Sequence, residues 1–272
     1  MPTPNQLTDT RALAQHRARA RPGALFLQDT AADEIEDRLG MVNRAFSAPA
    51  VVTPFPDVWA SRLPGAKIVA EAEALDLEPQ AHDLVVHALA LHWSNDPVGQ
   101  LIQCRRALKP DGLLLAAALG GTTLQELRRC LGEAEIAMTG GLSPRVAPMG
   151  EIRDLGALLQ RAGLALPVAD SVPLHVAYRD ARHLMHDLRD MGEANALQSR
   201  LRRAPRRALF EAVDALYAEH FATPDGRVSA TFEIVVLTGW APHADQPQPL
   251  RPGSARTRLA EALDTSETPL RD

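Results

Sequence analysis

Residues 82–115, HDLVVHALALHWSNDPVGQLIQCRRALKPDGLLL, decide the fold. From Asp83 to Leu91 the chain is apolar almost throughout, as expected of a strand covered on both faces. Asp96 is an N-cap candidate for an amphipathic helix reaching Leu108, and Lys109-Pro110-Asp111-Gly112 reads as its stop and turn. Residues 113–119, LLLAAAL, then form a second buried strand. A buried strand, a helix and another buried strand in succession make a parallel crossover unit.

The pattern continues on both sides. Residues 25–43 are helical, with Leu25, Ile35, Leu39 and Val42 on one side and Asp33, Glu34, Glu36 and Asp37 on the other. Val51-Val52-Thr53 is a short strand bounded by Pro49, Pro54 and Pro56, residues 57–63 a short helix, and residues 67–70 a second short strand. Beyond Gly120-Gly121, Thr122 is expected to cap a helix ending near Met138, and residues 151–162 form another helix that Gly163 stops. A strand at residues 173–178, helices at 181–196 and 205–222, and a β-branched strand at 231–240 complete the order. That last strand, reached through helices, is expected to join antiparallel at or near an edge. The fold class is α/β, a mainly parallel sheet with helices on both faces.

Composition narrows the function classes. With 46% hydrophobic and 23% charged residues the chain reads as a globular protein. A net charge of -5 gives no broad basic surface for nucleic acid, so none is expected as a partner. Cys104 and Cys130 form no CxxC pair and read as packing residues of a reducing compartment. No apolar run is long enough to span a bilayer, and no signal-peptide pattern opens the chain, so a cytoplasmic location is expected. The basic, acid-poor stretch at residues 11–21 reads as a solvated helix, ahead of a transit-peptide-like or membrane-surface segment. His175, His183 and His186 lack an acidic companion pattern, so no metal is expected, and no GxSxG elbow is present.

The strand ending in His92-Trp93, followed by a helix ending in Leu-Lys-Pro-Asp-Gly, resembles the fourth and fifth strands of the class I S-adenosylmethionine-dependent methyltransferases. LGGTTLQELR at 119–128, GGLSPRVAP at 140–148, RDLGALLQRAG at 153–163, MGEANAL at 191–197 and TFEIVVLTGWAPH at 231–243 resemble, more narrowly, the complex I assembly factor 5 family. Those proteins are relatives of the malonyl-acyl-carrier-protein methyltransferase of biotin synthesis. The resemblance implies a Rossmann-like methyltransferase domain over residues 46–243, with a helical insertion at 181–222, a helical cover at 1–45 and a polar tail at 244–272. It implies S-adenosylmethionine as cofactor, with Glu71, Ala72, His87 and Ala88 as its contacts. His92 is the candidate base, and Trp93, Arg145 and Asn195 are candidate substrate contacts. A protein client, such as a respiratory-complex subunit, and peripheral attachment at the inner membrane follow from the same resemblance, as does arginine hydroxylation in place of methylation.

One segment departs from the family. Its glycine-rich turn after the first strand lets backbone approach the cofactor, whereas this chain has Thr53-Pro54-Phe55-Pro56-Asp57. The spacing from Val51 to Asp83 is too short for three βα units. One unit is expected to be missing, and with it the carboxylate that ends the strand after the first and accepts the ribose hydroxyls. A catalytically inactive assembly protein that has lost the cofactor is therefore the alternative reading. Phe55 or Trp59 filling the cavity would favour it.

Overall fold

The structure is a computed structural model that describes residues 6–247, 257 and 259–265. It divides into two compact units, Met1–Pro242 and His243–Asp272. Within the second, a short helix is described at Leu259–Ala262; most of the polar tail expected at 244–272 lies outside the described residues.

The first unit is built on one six-stranded sheet. Its strands are β1 (Pro49–Val52), β2 (Lys67–Val69), β3 (His82–His87), β4 (Leu108–Leu119), β5 (Ala165–Tyr178) and β6 (Val228–Trp240), arranged β2-β1-β3-β4-β6-β5. The first four run parallel, and β6 runs antiparallel to both β4 and β5. The helices are α1 (Thr10–Arg17), α2 (Phe26–Met41), α3 (Pro56–Ala60), α4 (Pro97–Ala107), α5 (Gln125–Thr139), α6 (Ile152–Arg161), α7 (Ala181–Asp190) and α8 (Arg207–Phe221). Among the described residues, no helix is long and apolar enough to cross a membrane.

The continuous apolar strands follow from coverage of both faces. Side chains alternate along a strand, so Leu84, Val86, Leu113, Leu115, Ile234 and Val236 enter the core under α2, α5 and α8. Val85, Leu114, Ala116, Val235 and Leu237 enter the core under α4 and α6. Trp59 of α3 is fully buried on the first of these faces.

Several expectations shift. The strand predicted to Leu91 ends at His87; Leu89 has φ of 41° and a 3-10 turn covers Leu91–Trp93. Lys109 to Gly112 is the irregular start of β4, not a free turn, with Asp111 in the left-handed region. Thr122 does not cap a helix: its N–H and hydroxyl donate to the Glu233 carboxylate at 2.9 and 2.8 Å, and α5 begins three residues later. The strand at 173–178 is the second half of β5, whose first half contains Pro167. Proline is tolerated there because β5 is an edge strand. The last strand is antiparallel and near an edge, as expected, one place in from it. The helix predicted over 181–196 stops at Asp190, before Gly192 at φ of 81°.

Between β2 and β3, residues 70–81 contain no helix. Two amides on one face of α4 hold this segment. Gln100 Nε2 donates to Ala72 O and Glu73 O at 2.8 and 3.0 Å. Gln103 Nε2 donates to Glu73 O at 2.9 Å and its Oε1 accepts Leu75 N–H at 2.8 Å.

Leu115 is 1% exposed at the centre of the first core. Leu115→Ala is expected to lower the unfolding free energy by about 2–5 kcal/mol, read as a shifted urea midpoint at unchanged slope. A loss below about 1 kcal/mol would show that this face is loosely packed.

Candidate functional site

Open parallel sheets bind ligands beyond the carboxyl ends of their strands, and two cavities lie at that edge. The first encloses about 790 Å³, within the range for small-molecule sites. Its wall comes from Thr53 and Pro54 after β1, Glu71 and Ala72 after β2, His87 at the end of β3, and Gln100 of α4. Helix α1 adds Leu13, Ala14 and Arg17. The second cavity, about 350 Å³, lies past Leu119 at the end of β4 and is lined mainly by apolar side chains, among them Leu124, Met149, Met185 and Phe232. Trp93 lines both.

The segment expected as a solvated basic helix is therefore part of the site. Asp9 caps α1 by accepting Ala12 N–H at 3.1 Å. Ala12 and Leu13 pack with Trp93, Ala147, Ala196 and Leu197. Thr8 N–H donates to Asn95 Oδ1 at 2.8 Å, and Asp9 N–H to Ala196 O at 2.8 Å. These bonds hold α1 over the first cavity.

Between the cavities lies a buried charged cluster centred on Glu193. Trp93 Nε1–H donates to Glu193 Oε2 at 2.6 Å, and His92 Nε2 lies 3.2 Å from the same oxygen. Arg17 Nη1 donates to Glu193 Oε1. Burial acts to raise the pKa of Glu193, but the positive charge of Arg17 and the bonds from His92 and Trp93 outweigh it and hold the carboxyl far below its usual range. Glu71 shifts the other way: burial pushes it up and the Glu193 charge adds, against Arg17 and His92.

His87 is buried, and its tautomer follows from its neighbour. Gln100 spends its amide hydrogens on Ala72 O and Glu73 O, so its Oε1, 3.3 Å from His87 Nε2, accepts from that nitrogen. The proton is on Nε2, and Nδ1 is a buried acceptor without a hydrogen-bond partner. Burial depresses the His87 pKa to about 4. Arg17 also has buried groups to spare: Nε and Nη2 have no hydrogen-bond partner, although Nε lies 3.6 Å from Glu71 Oε2.

The structure thus brings Glu71, Ala72 and His87 onto one cavity and Trp93, Arg145 and Asn195 onto the second. Ala88 lines neither; it is buried in the core and its N–H bonds to Val52 O. His92 lines neither cavity, and with its side chain 2% exposed both ring nitrogens are engaged, Nδ1 by Leu119 N–H at 3.5 Å and Nε2 by Glu193. It shares the Glu193 Oε2 oxygen with Trp93 Nε1–H. Arg145 is paired with Glu135 at 2.6 Å, and Asn195 Nδ2 donates to Pro144 O at 2.9 Å. Sequence reasoning missed Arg17 and Gln100. The Gln100–Gln103 spacing on one helix face was the available signal for the second; nothing local marks Arg17. Among the described residues, no group of three or more His, Cys, Asp or Glu side chains is placed to hold a metal ion. Both cysteines are free and buried, with Cys104 pushed up to about 12 by burial.

The depressed His87 pKa predicts a pH dependence with a definite sign. Above the unfolded value of 6.5 both states are neutral, and below it the unfolded chain takes up the proton first. Stability is therefore lost as pH falls from 6.5 towards about 4. Urea unfolding across this window should show a shallower decline for His87→Asn than for the native protein; parallel curves would assign the decline to other groups.

Residues 51–116 match the family described as a methyltransferase domain. The zebrafish (Danio rerio) mitochondrial arginine-hydroxylase NDUFAF5 is 38% identical over 201 residues, covering 74% of this chain and 62% of that protein. The Homo sapiens protein of that name is 36% identical over 220 residues, covering 81% and 64%. A malonyl-[acyl-carrier protein] O-methyltransferase of Laribacter hongkongensis (strain HLHK9) is 35% identical over 179 residues, covering 66% and 58%. The chain thus spans 58–64% of the length of these three relatives. From β1 to the middle of β4 it carries the sequence pattern of a methyltransferase domain, and it resembles the NDUFAF5 and malonyl-[acyl-carrier protein] O-methyltransferase proteins over 66–81% of its own length.

Proposed function

We propose that the first cavity binds S-adenosylmethionine and that the chain is a methyltransferase-like protein whose acceptor enters the second cavity. The bare, buried Nδ1 of His87 carries this reading. A buried acceptor without a partner is costly, and an exocyclic amine on a ligand would satisfy it. The rest of the wall fits the adenosine portion. β2 lies beside β1, and Glu71 follows two residues after it, so the carboxylate expected to be lost with the shortened segment is available for the ribose hydroxyls. Neither Phe55 nor Trp59 lines the cavity.

When bound, the cofactor supplies an electrophilic methyl group. The chain's contribution is to bind, align and exclude water. Glu71 and His87 hold the adenosine end. Trp93, fixed through its Nε1–H, forms the wall shared with the acceptor cavity. The apolar lining of that cavity suits an acceptor with a hydrophobic body, with Arg145 and Asn195 on its rim. By resemblance to the assembly-factor proteins, the acceptor is a protein client such as a respiratory-complex subunit, met in the cytoplasm or at the inner face of the membrane. Hydroxylation of arginine, named for the NDUFAF5 relatives, is the alternative chemistry at the same place.

A second reading, a binding or assembly protein without catalysis, draws on the turn after β1, where residues 53–56 have no backbone N–H left for a ligand. Calorimetric titration with S-adenosylmethionine and S-adenosylhomocysteine separates the two readings. Micromolar binding, weakened at least about tenfold in Glu71→Ala, is expected from loss of a charge-assisted contact. No binding at millimolar ligand would overturn the cofactor reading in favour of the second.

A further inference from the structure

The turn after β1 leaves a ligand almost nothing to bind. Thr53 N–H donates to Val69 O at 3.0 Å, and Phe55 N–H to Thr53 Oγ1 at 3.0 Å. Pro54 and Pro56 have no N–H. Every backbone donor from 53 to 56 is therefore taken or absent. An amino-acid-bearing nucleoside needs a partner for its carboxylate, and residues 53–56 do not provide one.

Above this turn sits Arg17. Its guanidinium carbon lies 5.3 Å from the centroid of the Phe55 ring, and the side chain, 7% exposed, forms part of the cavity wall. One nitrogen is spent on Glu193; Nε and Nη2 have no hydrogen-bond partner. Buried guanidinium donors are normally paired, and the edge they form matches a planar carboxylate. The nearest protein carboxylate on that edge, Glu71, stands off at 3.6 Å.

We propose that Arg17 receives the carboxylate of the ligand's amino-acid end, so that one guanidinium on α1 replaces the backbone N–H groups of a glycine turn. The inference rests on the cofactor reading above and adds the residue that lets the site work without glycines. The amino-acid end is zwitterionic, so it brings no net charge to a site that already holds Glu71 and Glu193. The ligand thereby also fastens α1 over the cavity.

The test compares two ligands that share adenosine and sulfur but differ in the amino-acid end. The native protein and Arg17→Gln are titrated calorimetrically with S-adenosylhomocysteine and with 5′-methylthioadenosine. Arg17→Gln is expected to weaken S-adenosylhomocysteine about 10–100-fold, the range of a charge-assisted contact, and to change 5′-methylthioadenosine less than about twofold. Equal losses for both ligands, or no loss for the first, overturn the proposal. Should the variant fail to fold, the native protein is titrated with the carboxyl methyl ester of S-adenosylhomocysteine; a comparable loss supports the role of the carboxylate, and unchanged affinity overturns it. If the native protein binds 5′-methylthioadenosine but gains nothing from the amino-acid end, only the Arg17 proposal fails. If it binds neither ligand, the cofactor reading fails and this one with it.

Discussion

The Glu193 carboxylate is the constraint around which the site is organised. Its partners Trp93, His92 and Arg17 are 100, 101 and 176 residues away in sequence. Removing a carboxylate from water costs several kcal/mol, and only near-complete pairing offsets it. Here a cation, an indole N–H and an imidazole meet one carboxylate whose side chain is 5% exposed. The arrangement fixes where α1 lies, sets the rotamer of Trp93, and so defines the wall between the two cavities. Such a cluster adds little net stability compared with an apolar replacement, but it penalises any packing in which one member is missing.

The sheet provides the platform on which this cluster stands. The alternation of β3, β4 and β6 between two cores ties the strands to both helical layers, so the strand ends are held in fixed relation. β6, inserted between β4 and β5, brings Glu233 beneath the segment after β4. There its carboxylate accepts the N–H and hydroxyl of Thr122 and the hydroxyl of Ser171. That contact replaces the expected helix cap and shapes the backbone leading into α5.

The segment between β2 and β3 bounds the first cavity without a helix of its own. Residues 70–81 cross from β2 to β3 without a helix, and irregular backbone in such a place needs partners for its polar groups. Gln100 and Gln103 supply them, and through Gln100 the same network sets the proton of His87. The staple that holds the loop thus also prepares an acceptor in the cavity wall.

The amino-acid sequence was enough for the parallel crossover unit, the coverage of both sheet faces and the position of Glu71 just past a strand, because strand burial and strand termination are written in local apolar runs and their stops. It also brought Arg145 and Asn195 into consideration through a resemblance carried by loop motifs. It could not reveal that the strand pattern ends at His87 and that His92 turns inward, since an apolar run looks alike in a strand and in a buried 3-10 turn. Nor could it place Arg17, whose neighbours in sequence describe an ordinary basic helix; its burial follows from Thr8, Asp9 and Leu13 docking on residues about 80 to 190 positions away. Periodicity and turn chemistry act over a few residues and can be read along the chain. The pairing of buried charges and the assignment of a proton to one imidazole nitrogen depend on groups that meet only when the chain has folded.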